Sequence, residues 1–110
     1  MDLSAVQKKQ QAFIEARGWS EFQTPKNLVM ALMVEAAELQ EIFQWMTPEA
    51  SAQVKNDPET LTHVGEEVAD VFLYLLHLCN QLDIDLEAAV KDKMQKNAIK
   101  YPLNGAQGEP

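Results

Sequence analysis

The sequence predicts an all-α domain whose four-helix bundle is completed by association of identical chains. Three observations carry this expectation. Apolar residues recur at spacings of three and four with no strand-like alternation. Cap-and-proline pairs punctuate the chain at the starts of these runs. One long segment is too apolar to be covered by the rest of so short a chain. At 110 residues there is room for one domain and one core.

The elements follow in order. Ser4 with Gln7 fits a capping box and opens a first helix that fades at Gly18. Trp19 to Thr24 reads as a loop carrying two aromatic residues. Thr24-Pro25 is an N-cap and first-turn pair that starts a second helix running to about Met46. Thr47-Pro48 repeats the device for a short helix ending near Lys55, and Asp57-Pro58 repeats it again for a third long helix to about Leu82. Asp85 caps a fourth long helix from Leu86 to about Lys100, stopped by Tyr101-Pro102. Residues 1–102 therefore form the domain, and the turn-forming, apolar-poor residues 103–110 are expected to be a flexible tail.

In the third long helix the run VFLYLLHLC, residues 71–79, is apolar on every face apart from His77. Such a helix must be covered all round. Either it is a central core helix or a second subunit buries it, and symmetric association is the expectation here.

Nine basic residues against seventeen acidic give a formal net charge of −8. That balance disfavours nucleic-acid polymers and anionic membranes, which are bound mainly by neutralising phosphates with Lys and Arg. If phosphates are bound at all, something must reverse the local sign, and a divalent cation does so most simply. The lone Cys79 lies in the apolar run and reads as a buried thiol of a reducing compartment. With no secretory signal legible at the N-terminus, a cytoplasmic location is expected.

The acids are placed unusually. On the second helix the apolar stripe is Leu28, Leu32, Leu39, Ile42 and Met46, and Glu35 falls inside it with Glu38 three residues on. On the third long helix the stripe is Val64, Val71, Leu75, Leu78 and Leu82, and Glu67 falls inside it with Asp70 three residues on. A single E-x-x-E on a helix is usually a solvated face, as Glu66 and Glu87 are taken to be. Two pairs registered with core stripes are not. Unpartnered carboxylates in such positions cost about several kcal/mol and repel one another. These two helices hold only Lys26 as a strong base. Clustered hard oxygen donors are what Mg²⁺ or Mn²⁺ require. Di-iron carboxylate bundles use Glu-x-x-His on two helices. His63 and His77 are out of that pattern, and both read as packing or hydrogen-bonding residues.

The motif EAAE, residues 35–38, followed by EVAD, residues 67–70, resembles the E-x-x-E…E-x-x-D signature of the MazG-like all-α nucleotide pyrophosphohydrolases. The segments RGWSEFQTPKNL (17–28), EAAELQEIFQW (35–45), GEEVADVFLYLL (65–76) and KMQKNAIKYP (93–102) are similar to its dCTP-pyrophosphatase branch in particular. The resemblance covers about residues 5–102. It implies a helical dimer or, more in keeping with the family, a tetramer whose subunits share each site. It implies Glu35, Glu38, Glu67 and Asp70 as the Mg²⁺-binding set, and hydrolysis of a (deoxy)nucleoside triphosphate to monophosphate and pyrophosphate in nucleotide-pool house-cleaning. Gln23 departs from the dCTP-specific pattern, which argues against strict selection of cytosine.

Other residues supply what such a reaction needs. Lys93, Asn97 and Tyr101 lie along one side of the fourth long helix and match the family's K-x-x-x-N-x-x-x-Y-P segment; they are expected at the phosphates, with Lys96 and Lys100 nearby. Trp19, Phe22 and Trp45 offer flat partners for a base, against the plainer reading of core anchors. Tyr74, one turn after Asp70, is placed to bond sugar or phosphate, or to pack. Glu38 is the expected general base, with Glu41 next along the same helix as the second choice. The alternatives are a non-catalytic helical oligomer whose acidic face binds metal or a basic protein, and a hydrolase of dUTP or phosphoribosyl-ATP on the same scaffold.

Overall fold

Each α-helix of the chain is opened by a side-chain oxygen that accepts a backbone N–H three residues on. In the computed structural model, which describes residues 1–103, the helices are α1 (Leu3–Ala16), α2 (Pro25–Phe43), α3 (Pro48–Ala52), α4 (Pro58–Gln81) and α5 (Leu86–Lys100). Their caps are Asp2, Thr24, Thr47, Asp57 and Asp85. No strand occurs among the described residues. The expected flexible tail lies outside them apart from Leu103. Among the described residues no helix is long and apolar enough to cross a membrane.

Two local expectations are corrected. Asp2, not Ser4, caps α1: its Oδ1 accepts from Ala5 N at 3.1 Å, and its carbonyl accepts from Val6 N at 3.1 Å. The earlier cap adds helix that Ser4 would have excluded. α2 ends at Phe43 rather than Met46, because Thr47-Pro48 already requires extended backbone and the chain must leave the helix before it. The short helix ends at Ala52 and continues as a 3₁₀ turn, Gln53–Asn56.

α1 ends in a Schellman motif. Gly18, at φ +67°, donates to the Glu15 carbonyl, and Trp19 donates to the Ile14 carbonyl, both at 3.1 Å. The motif turns the chain sharply and sets where Trp19 stands. α4 ends the same way with Asp83, at φ +54°, in the position usually given to glycine; Ile84 N reaches the Cys79 carbonyl at 2.8 Å.

The packing is chiefly α2 against α4, with α1 and the 3₁₀ turn also laid on α4. Leu28 and Leu76 are fully buried, with Ile14, Val54, His77 and Cys79 around them. Burial of each large apolar side chain contributes about 1.5–3 kcal/mol, so this small core is thin. The expected α4 stripe is half right. Val64, Val71 and Leu78 are partly covered, whereas Leu75 and Leu82 are exposed. They belong to a second row, Leu61, Val68, Leu75 and Leu82, repeating every seven residues and turned away from α1 and α2. α5 has no extensive packing partner among the described residues, and within it only Leu86 is even partly covered. The radius of gyration is 17.3 Å, against about 13 Å for a closed domain of this length.

Candidate active site

α2 and α4 run side by side, and their two acidic pairs face the seam between them. Carboxylate oxygens of Glu35, Glu38 and Glu67 lie within 4.8 Å of one another. Glu67 is 9% exposed, Glu35 is half-buried and Glu38 is exposed. One oxygen each of Glu35 and Glu67 is buried with no hydrogen-bond partner. No lysine or arginine neutralises the group among the described residues; the nearest basic contact is His63, whose Nε2 stands 3.7 Å from Glu67 Oε1.

Charge repulsion is accordingly visible in the acidities. Glu35 is pushed up to about 7, first by burial, then by the adjoining Glu38 and by Asp70. Glu67 is raised as well, again first by burial and then by Glu38. A metal-free cluster therefore tends to hold protons. Three carboxylates with oxygens within 4.8 Å of one another, two of them with a buried unsatisfied oxygen, fit a divalent cation of the Mg²⁺ type. They also argue against a protein-docking face, which would carry its acids in solvent.

Asp70, the fourth expected ligand, is not part of this close group. It acts on Glu35 and Glu67 through its charge and lines a separate cavity of about 330 Å³. That cavity is walled by Gln10, Phe13, Ile14, Trp19, Gln23, Leu73 and Tyr74. Trp19 meets Phe13 edge-to-face at 5.9 Å, and the Arg17 guanidinium covers the Phe13 ring at 3.4 Å. Arg17 also donates to the Phe13 carbonyl, so this cation is committed locally. The Tyr74 phenol is raised by burial and by Glu35 and Asp70, and so stays neutral.

On the other side of the cluster Glu38, Glu41, Ile42, Met46, Thr60, His63 and Glu67 line a more open cleft of about 560 Å³. Glu38 and Glu41, the two expected bases, thus share one solvent-accessible space. The remaining expected residues are not brought to the carboxylates within this chain. Trp45 is 89% exposed in the turn after α2, and Phe22 is 59% exposed with its carbonyl accepting from Asn27 Nδ2. Lys93 and Asn97 stand in solvent on the unpacked α5, and Tyr101 is half-buried at its end. Lys96 is paired with Asp92 at 2.8 Å, and Lys100 lies over the Tyr101 ring at 5.3 Å.

Gln10 and Phe13 were not foreseen. A signal for Gln10 existed: Leu3, Val6, Gln10, Phe13 and Ile14 are spaced by three and four, so Gln10 interrupts an apolar stripe of α1 as Glu35 interrupts that of α2.

A model of the MazG-like family matches residues 30–109. The dCTP pyrophosphatase 1 of Rattus norvegicus is 33% identical over 106 residues, covering 96% of this chain and 62% of that protein. The dCTP pyrophosphatase 1 of Homo sapiens is 34% identical over 102 residues, covering 93% of this chain and 60% of that one. The chain thus spans about three-fifths of the length of these curated relatives. A crystal structure of a pyrophosphatase from Archaeoglobus fulgidus superposes with a TM-score of 0.77 at 40% identity, covering 93% of this chain and 94% of that one.

Proposed function

The chain belongs to the MazG-like family, and from that membership we propose that it is a Mg²⁺-dependent nucleotide pyrophosphohydrolase, converting dCTP or related deoxynucleoside triphosphates to monophosphate and pyrophosphate. The observation that carries this reading is the convergence of Glu35, Glu38 and Glu67, with buried, unsatisfied oxygens on two of them. The names of the relatives, dCTP pyrophosphatase 1 and pyrophosphatase, support the reaction class.

Glu35, Glu38 and Glu67 would hold the cation, with Asp70, outside the close group, as the further expected ligand. Such a cation would cancel the cluster's charge, polarise phosphate oxygens and make a nearby water more acidic. The chain's own residues do the rest. Trp19 supplies a face on which the base stacks, and the neutral Tyr74 phenol donates to sugar or phosphate beside Asp70. Glu38 accepts the proton of the attacking water, Glu41 being the second candidate in the same cleft.

The protein works as a homo-oligomer, a dimer or a tetramer. The heptad row Leu61, Val68, Leu75 and Leu82 on α4 is the pattern of a helix seam. Met30, Met33 and Val34 form a second exposed apolar stripe on α2. A second copy would cover both and give α5 something to pack on. It would also bring Lys93, Asn97 and Tyr101, and Trp45 or Phe22, to a neighbouring site as phosphate and base contacts. A cytoplasmic nucleotide-pool role accords with this chemistry.

The test is the product pair. Deoxynucleoside triphosphates incubated with Mg²⁺, and separately with EDTA, should yield monophosphate and pyrophosphate in equal amounts only with metal. Diphosphate with orthophosphate would contradict the assigned bond.

A further inference from the structure

The cavity beside Asp70 is built from two kinds of wall. Phe13, Ile14, Trp19 and Leu73 are apolar, and Trp19 and Phe13 are held by their own edge-to-face contact and by the Arg17 cover. Asp70 and Tyr74 are polar but lie at the carboxylate end, on α4. The polar atoms of the opposite wall are two carboxamides, Gln10 on α1 and Gln23 after the 3₁₀ turn Ser20–Phe22. Both are half-buried, and neither carboxamide has a hydrogen-bond partner among the described residues. Gln11, the neighbour of Gln10, shows the contrast: its amide is engaged with Glu15 and Asn80.

The geometry points to Gln10 and Gln23 as the residues that read the base, accepting 4-amino and 4-oxo pyrimidine deoxynucleotides alike. This rests on the nucleotide reading of the site. A 4-amino pyrimidine presents a donor beside a ring-nitrogen acceptor, and a 4-oxo pyrimidine presents the same two positions with the roles exchanged. A carboxamide carries one acceptor oxygen and one donor NH₂, and a half-turn of its terminal torsion exchanges them. Among the described residues neither carboxamide is held by a hydrogen-bond partner that would oppose that half-turn, and the one charged side chain lining the cavity is Asp70 on α4. A site of fixed polarity rejects the wrong partner by about 10⁴–10⁵, because buried groups are left unpaired. A site that turns over leaves neither edge unpaired, so discrimination is small.

The comparison is of kcat/KM for dCTP and for dUTP in Mg²⁺, on the wild type and on Gln10→Leu, Gln23→Leu, Gln10→Glu and Gln23→Glu. The wild-type values should lie within about tenfold of one another, and the Leu variants should raise KM for both substrates by about tenfold. A carboxylate only accepts, so at the 4-position it suits the amino group and opposes the oxo group, and at the ring nitrogen it does the reverse. At least one Glu variant should therefore move the dCTP-to-dUTP ratio about tenfold, in the direction set by the position it faces, a change that loss of packing would not produce. A wild-type ratio above about a hundredfold, or an unchanged ratio in both Glu variants, would overturn the assignment. If folded protein turns over no nucleotide, the hydrolase reading has failed separately. Calorimetric titration with dCMP and dUMP then decides the base assignment. Similar affinities that both weaken in the Leu variants support it, and absence of binding to either overturns it.

Discussion

Glu35 on α2 and Glu67 on α4 meet across the helix seam, and each keeps one carboxylate oxygen buried and without a hydrogen-bond partner. Glu38 adjoins both and is among the causes that raise their pKa values. A fold that places three like charges together at its best-packed seam carries that cost for a reason outside packing.

The first expectation concerns pH. Glu35 and Glu67 hold protons more tightly folded than unfolded, so they favour the folded state at low pH, and that contribution is lost as pH rises. Since Glu35 titrates near about 7, melting in EDTA should fall between about pH 5 and about pH 8. Mg²⁺ should raise the melting temperature more at the upper end than at the lower, because there fewer protons must be displaced. A metal-free melting temperature that climbs over this interval would contradict the cluster's electrostatics.

Glu38→Gln removes the charge that opposes its two neighbours. Turnover should fall by about a hundredfold or more, as for loss of a metal ligand or base. The metal-free variant should melt at or above the wild type near about pH 8, and close to it near about pH 5. Near-wild-type turnover by this variant would remove Glu38 from the mechanism.

The two left-handed helix ends make opposite forecasts. Gly18→Ala puts a side chain at φ +67° and should cost about 1 kcal/mol. It should also weaken nucleotide binding, since Trp19 follows directly in the same turn. Asp83→Gly relieves φ +54° and should stabilise by about 0.5–1 kcal/mol with kinetics unchanged. Chemical denaturation of both variants, with KM measured alongside, checks the pair.

Association should be sensitive to charge on the uncovered rows. Met33→Glu on α2 and Leu75→Glu on α4 replace side chains 62% and 39% exposed in the isolated chain. Light scattering should give a multiple of 12.4 kDa for the wild type and a lower multiple for the variants. A wild-type protein with the mass of one chain would contradict the oligomer.

What could be read from the sequence was what is local. The caps at Thr24, Thr47, Asp57 and Asp85 act three residues ahead, so these four helix starts were legible. Glu35 and Glu67 stood out because helical spacing alone sets them among apolar residues. The end of α2 was missed because nothing in Gln44-Trp45-Met46 stops a helix; the requirement comes from Pro48 downstream. The burial of Leu76, His77 and Cys79 instead of Leu75 and Leu82 depends on which face of α4 meets α1 and α2, and the all-apolar run offered no face to prefer. Gln10 was missed because Asp70 and Tyr74, which line the same cavity, are remote from it in sequence. The place of α5 was not legible because no helix among the described residues packs extensively along it.

The most direct measurement is Mn²⁺ binding, followed by the electron paramagnetic resonance signal of the free ion, on the wild type and on Glu35→Gln and Glu67→Gln. Saturable binding that weakens by about tenfold or more in each variant, while circular dichroism stays helical, is the predicted result. Equal Mn²⁺ binding by all three proteins would show that the buried carboxylates are not the metal site.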